Sequence, residues 1–293
     1  MKRRESISKK KMSLINGMAG IFPLCSYLHV PGKMSAPVWM MLGTCILWAP
    51  PNVRRSDRSR GLSFLTCAHT FLPWNFVKVE KPEDVTIPVE FRKQRFVIGK
   101  LFLFNEYGQA QKQHAFSLQL VAVNEELDVA LLTMPLTEAD AFRGAARSRQ
   151  LDKFHTLHDG DVPVGSSLSL VGFRGVGRLG EVESTDLRAI KAMTAIEREE
   201  LTLLFANAEG RQEASTAGAV CLRRGVGLLQ NSMRAYQGQS GSPLCDGSGG
   251  LRGMLYGRPR GADEVVAEYH LERVIGYVPS TSILKWAEEL FPS

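Results

Sequence analysis

Residues 236–244 read YQGQSGSPL. A serine, Ser240, stands between Gln239 and Gly241, with Gly238 just before them and Pro243 just after. Small residues and a proline at this density describe a turn. The same composition suits a loop that presents a reactive hydroxyl among backbone N–H groups. The two readings separate only if an imidazole and a carboxylate occur elsewhere in matching contexts, so the rest of the chain decides.

Hydroxyl nucleophiles need an imidazole to take their proton and a buried carboxylate to hold that imidazole in one tautomer. His69 ends the apolar run LTCAH (65–69), where a strand would deliver it to a barrel rim. Asp128 sits inside LDVALL (127–132), with apolar residues on both sides. A carboxylate there is costly to bury unless it is hydrogen-bonded. The remaining histidines, His29, His114, His155, His158 and His270, lie in loop-like or polar stretches. The candidate set is therefore His69 as base, Asp128 as its partner and Ser240 as nucleophile. Gly238 permits the bend that brings its own N–H beside that of Ser240. Two such donors would hold a developing oxyanion.

Around these three points the chain reads as β structure. GLSFLTCAH, QRFVIGKLFLF, FSLQLVAV, LDVALLTM, SLSLVGF, GVGLLQ and LRGMLYG are short apolar runs separated by turns. Many such runs, without long amphipathic helices between them, point to barrels or a sandwich and away from a parallel α/β sheet. Residues 38–50 (VWMMLGTCILWAP) are too few to span a membrane. Gly43 and Thr44 in their middle suggest two buried strands meeting at a bend. Residues 186–206 favour a helix inserted among the strands. Residues 280–291 (STSILKWAEELF) favour a closing helix with Ile283, Leu284, Trp286, Ala287, Leu290 and Phe291 on one stripe, capped by Ser280 or Thr281.

The 293 residues, 44% hydrophobic and 23% charged, suffice for one large or two modest domains with a real core. Of the net charge of +6, five units lie in residues 1–11, MKRRESISKKK. That places the basic character in a tail, compatible with a mitochondrial or plastid targeting segment or with a solvated terminus. A nucleic-acid footprint over the fold is not expected, and residues 54–60 (RRSDRSR) lack interleaved aromatics. Five cysteines at wide spacing argue for a reducing, intracellular compartment. His155, His158 and Asp159 make an isolated HxxH with no further ligand cluster, so neither metal nor cofactor is expected.

LTCAH, LDVALL and GQSGSPL resemble the three catalytic motifs of trypsin-like serine proteases. Three further segments are similar to the HtrA/Deg branch: VPVGSSLSLVGF (162–173), GLLQNSMRAYQGQSGSPL (227–244) and IGYVPSTSILKWAEEL (275–290). The resemblance covers roughly residues 35–290. It implies two six-stranded antiparallel β-barrels of the chymotrypsin type, the first at about 35–145 and the second at about 155–279, behind a basic extension over 1–34. It also implies peptide or unfolded-protein substrates, a catalytic set of His69, Asp128 and Ser240, and oxyanion donors at Gly238 and Ser240. Substrate-pocket candidates are Arg234, Gln237, Tyr256 and Gly257.

HtrA proteins usually add a PDZ domain after the closing helix. This chain ends there, so PDZ control and trimer assembly are not carried over. Gln239 stands where secreted trypsins have the aspartate that pairs with a newly cut N-terminus, so activation by such cutting is not expected. Arg234, six residues before Ser240, occupies the place of the acidic pocket floor of trypsins. Either it disfavours cleavage after Lys and Arg or it points to solvent. His69 and Asp128 are 59 residues apart, longer than is usual in the family. A protease fold retired into a binding scaffold or assembly subunit is the alternative, against which the complete triad stands.

Overall fold

The computed structural model describes residues 17–35, 37–51, 61–76, 89–175, 212–230, 235–236, 238–257 and 273–292. Among these residues, twelve strands form two closed antiparallel barrels. The first contains β1 (Ile21–Leu28), β2 (Val38–Trp48), β3 (Ser63–Cys67), β4 (Val97–Phe104), β5 (Ala110–Asn124) and β6 (Val129–Thr133), in the spatial order β1-β2-β3-β6-β5-β4. The second contains β7 (Ser167–Gly175), β8 (Gln212–Arg223), β9 (Val226–Leu229), β10 (Pro243–Cys245), β11 (Leu251–Gly257) and β12 (Val274–Pro279), in the order β10-β11-β12-β9-β8-β7. This is the chymotrypsin-like architecture that the sequence suggests. The expected helix at 186–206 lies outside the described residues.

Three expectations change. The first barrel starts at Ile21 and not near residue 35. Every residue of β1 is buried, and the strand pairs with both β2 and β4, closing the barrel. Residues 38–48 are one strand and not two. Its pairing with β1 skips Met40, since the successive residues Ser26 and Tyr27 face Met41 and Trp39. Gly43 and Thr44 do not mark a bend; they make room for, and hold, a loop from the other barrel, as described below. Helix α1 (Leu136–Arg147) was not anticipated. Ala139, Phe142 and Ala146 face inward at helical spacing. Phe142 closes the barrel end by edge contacts with Phe22 at 5.3 Å and Phe64 at 5.8 Å.

The barrels share a core. Ile46, Trp48, Leu65, Cys67, Val129 and Leu131 from the first meet Leu251, Met254 and Val278 from the second. Helix α2 (Ser280–Leu290) covers this seam with Ile283, Trp286 and Ala287, while Leu290 of the expected stripe is exposed. The expected cap is also different. Pro279 precedes the helix, and Ser280 Oγ donates instead to the His158 carbonyl at 2.6 Å. That bond ties the helix start to the inter-barrel segment. His155, on the same segment, is buried with Nε2 2.8 Å from the Ala19 carbonyl, so it is a packing residue and its imidazole is held below its ordinary pKa by burial.

Candidate active site

Strand β3 ends at Cys67 and the chain turns at once into a single 3-10 turn, Ala68–Thr70. The Ala68 carbonyl accepts from Phe71 and Leu72, each at 2.9 Å, and both those side chains are buried. The turn is thereby anchored on either side of His69, whose side chain stands at the rim with 15% of its surface exposed. The ring of Phe76 lies edge-on to the imidazole at 6.2 Å.

Asp128 is placed by the β5–β6 hairpin. Asn124 Oδ1 accepts the Leu127 N–H at 2.9 Å, and Asp128 then adopts a left-handed φ of 61°. Aspartate is among the few non-glycine residues that tolerate this region. The β3–β6 ladder sets Cys67 opposite Val129, so Asp128 falls beside the start of the His69 turn. Its carboxylate is buried and held from two directions. Oδ1 accepts the His69 backbone N–H at 2.8 Å, and Oδ2 lies 2.7 Å from His69 Nδ1. The cost of burying the charge is offset by these bonds.

Ser240 arrives from the second barrel, on the tight loop that precedes β10. Its Oγ is 2.9 Å from His69 Nε2. The three sequence candidates thus form one hydrogen-bonded line, Asp128 to His69 to Ser240. The loop is fixed by the Gly241 N–H to the Leu255 carbonyl (2.8 Å), the Ser242 N–H to the Gln239 carbonyl (2.9 Å) and the Leu255 N–H to the Ser242 carbonyl (2.8 Å). Gly241 has φ 89°, and a Cβ there would sit 2.0 Å from the Thr44 carbonyl oxygen. Only glycine fits that approach. Gly238, with φ 92°, shares the same turn.

Thr44 is the residue that sequence reasoning missed. Its N–H donates to the Ser240 carbonyl at 2.7 Å, its Oγ1 donates to the Gly238 carbonyl at 2.8 Å, and the same Oγ1 accepts the Phe173 N–H at 3.0 Å. Its carbonyl accepts from Thr66 Oγ1 at 2.8 Å. One threonine of the first barrel therefore fastens the serine loop of the second. Gly43 allows this, since a Cβ there would lie 2.9 Å from Thr70 Cγ2 and 3.4 Å from the Ser240 carbonyl. The available signal was a small residue and a hydroxyl inside an apolar strand. Thr44→Val keeps the shape and removes the hydroxyl, leaving the buried Gly238 carbonyl and Phe173 N–H without that partner. We expect a loss of about 1–3 kcal/mol per orphaned group, read as a lower urea midpoint at an unchanged m value.

Gln239 is buried, with Oε1 accepting the Tyr236 N–H at 2.7 Å and Nε2 donating to Ser215 Oγ at 3.1 Å. A neutral amide thus braces the loop from within. Arg174, paired with Glu213 at 2.7 Å, lies over the Tyr236 ring at 5.1 Å on the outer side. Of the substrate-pocket candidates, Arg234 and Gln237 lie outside the described residues. Tyr256 packs on Gly276, where an added Cβ would come within 2.4 Å of its ring, and Gly257 pairs with Gly276 across β11 and β12. Beneath the imidazole, Cys67 Sγ donates to the Leu255 carbonyl at 3.0 Å. No disulfide joins any of the five cysteines.

No curated protein matches the chain. Residues 43–254, from the Gly43–Thr44 clasp to β11, match the family model described as Trypsin-like peptidase domain. This span holds all three aligned side chains and covers well over half of the sequence, so the chain belongs to the trypsin-like peptidase domain family.

Proposed function

We propose that the protein is a serine endopeptidase that hydrolyses peptide bonds through Ser240, His69 and Asp128. The observation that carries this reading is the continuous line of 2.7 Å and 2.9 Å contacts from Asp128 Oδ2 through the imidazole to Ser240 Oγ. His69 takes the hydroxyl proton as Ser240 attacks the carbonyl carbon, then gives it to the leaving amine. Asp128 holds the proton on Nδ1, so that Nε2 presents its lone pair, and stabilises the imidazolium. The N–H groups of Gly238 and Ser240 stabilise the oxyanion. Water, activated by the same imidazole, then releases the acyl group from Ser240. Chemistry of this kind needs no cofactor. The three segments that resemble the HtrA/Deg branch support peptides or unfolded proteins as substrates.

Two experiments bear on this. Rapid mixing with an activated ester should give a burst of about one acyl equivalent per chain, followed by slower turnover; no acyl-enzyme at all would contradict the reading. Arg234, six residues before the nucleophile, supports a pocket that repels basic side chains. A peptide amide with Arg at the cleavage position should therefore be a poor substrate beside one with a small or acidic residue. Efficient hydrolysis of the Arg substrate would remove this specificity.

A further inference from the structure

Cys67 has no role in the steps above, yet its sulfur lies under them. Cys67 Sγ, a ring nitrogen of His69 and a carboxylate oxygen of Asp128 all lie within 4.8 Å of one another. Cys67 is fully buried in the seam between the barrels, with its thiol donating to the Leu255 carbonyl. Thiolate, imidazole and carboxylate together are a donor set for zinc, which binds sulfur at about 2.3 Å and nitrogen or oxygen at about 2.0–2.2 Å.

We propose that a thiophilic divalent cation, zinc for the test, binds between Cys67 Sγ, His69 Nδ1 and Asp128 and reversibly silences the enzyme. The inference rests on the assignment of His69 as the base. Zinc would take the place of the Nδ1 proton in the 2.7 Å contact with Asp128. Tetrahedral coordination requires that pair to open by about 0.7 Å, a side-chain adjustment. The thiol proton leaves to solvent. The imidazole stays neutral, with its proton now on Nε2. Zinc with one thiolate and one carboxylate is a neutral assembly, so no net charge is buried. Nε2 then faces Ser240 Oγ as a donor and can no longer accept its proton. Zinc acts here as an inhibitor and not as a cofactor.

The test uses the full chain under a non-thiol reductant, with zinc alone titrated against a chromophoric chelator. Cys67→Ser retains a hydroxyl for the Leu255 carbonyl and loses the soft ligand; Cys67→Ala is the second variant, should the first not fold. The wild type should show a zinc site that weakens at least 100-fold in both variants. Zinc should block fluorophosphonate labelling of the wild type, and a chelator should restore it. Each variant, compared with itself with and without zinc, should label at the same rate. Wild-type zinc affinity in both variants, or equal zinc block of their labelling, would overturn the proposal. A wild type that never labels, even without zinc, would count against the protease reading, while the affinity comparison would still decide the metal site.

Discussion

Replacing His69 by alanine should lower kcat for peptide hydrolysis by about 10⁶ while leaving the fold in place. The imidazole contacts both Asp128 and Ser240. Its ring stands at the rim, whereas the turn that carries it is anchored by Ala68, Phe71 and Leu72. Loss of the ring therefore costs proton transfer and little packing. The measurement is steady-state turnover of the best peptide substrate, with thermal unfolding run beside it. Removing Ser240 as well should add little, because the two act as one unit. Turnover within tenfold of wild type in His69→Ala would mean that another group is the base.

Asp128→Asn should cost about 10⁴ in kcat, with a nearly unchanged unfolding midpoint. The argument is geometric. The carboxylate accepts twice, from the His69 backbone N–H and at the ring Nδ1. An amide has one acceptor and one donor end. The backbone N–H can only donate, so the amide oxygen must face it and the amide NH₂ must face Nδ1. Nδ1 is then forced to accept, the ring proton moves to Nε2, and the base is in the wrong tautomer for Ser240. A variant that lost both activity and most of its stability would instead assign Asp128 a mainly structural role.

The parts of the molecule that the sequence displayed are those whose signal is local. LTCAH and LDVALL each combine an apolar strand with one polar residue at its end, and the β3–β6 ladder brings those ends together. GQSGSPL shows its turn through glycines that the loop requires at 238 and 241. The parts that were hidden depend on distant partners. Strand β1 carries Pro23, follows a basic tail and reads poorly as a strand, yet it closes the barrel by pairing on both sides. β8 begins with small and polar residues (QEASTAGA), so its apolar signal is weak, although it pairs with β7 over nine residues from Ser167 to Gly175. Gly43 and Thr44 resembled a break in a strand because nothing in residues 38–50 indicates that a loop some 200 residues away will rest there. Helix α1 buries only three side chains, too narrow a stripe to stand out beside the strands.

The same contrast separates the line of three side chains from the scaffold that aims it. His69, Asp128 and Ser240 are recognisable by type and order, while Thr44, Gln239 and Cys67 acquire their roles only from the way the two barrels meet. Barrel docking through the shared seam of Trp48, Met254 and Trp286 is thus part of how the site is assembled.

The most direct measurement is covalent labelling by a fluorophosphonate probe, on the wild type and on Ser240→Ala, in the presence of a chelator. The probe reacts with a serine whose hydroxyl is activated. The account predicts about one label per wild-type chain, on Ser240, and none on folded Ser240→Ala. Folded wild-type protein that takes up no label, or that labels equally without Ser240, would contradict it.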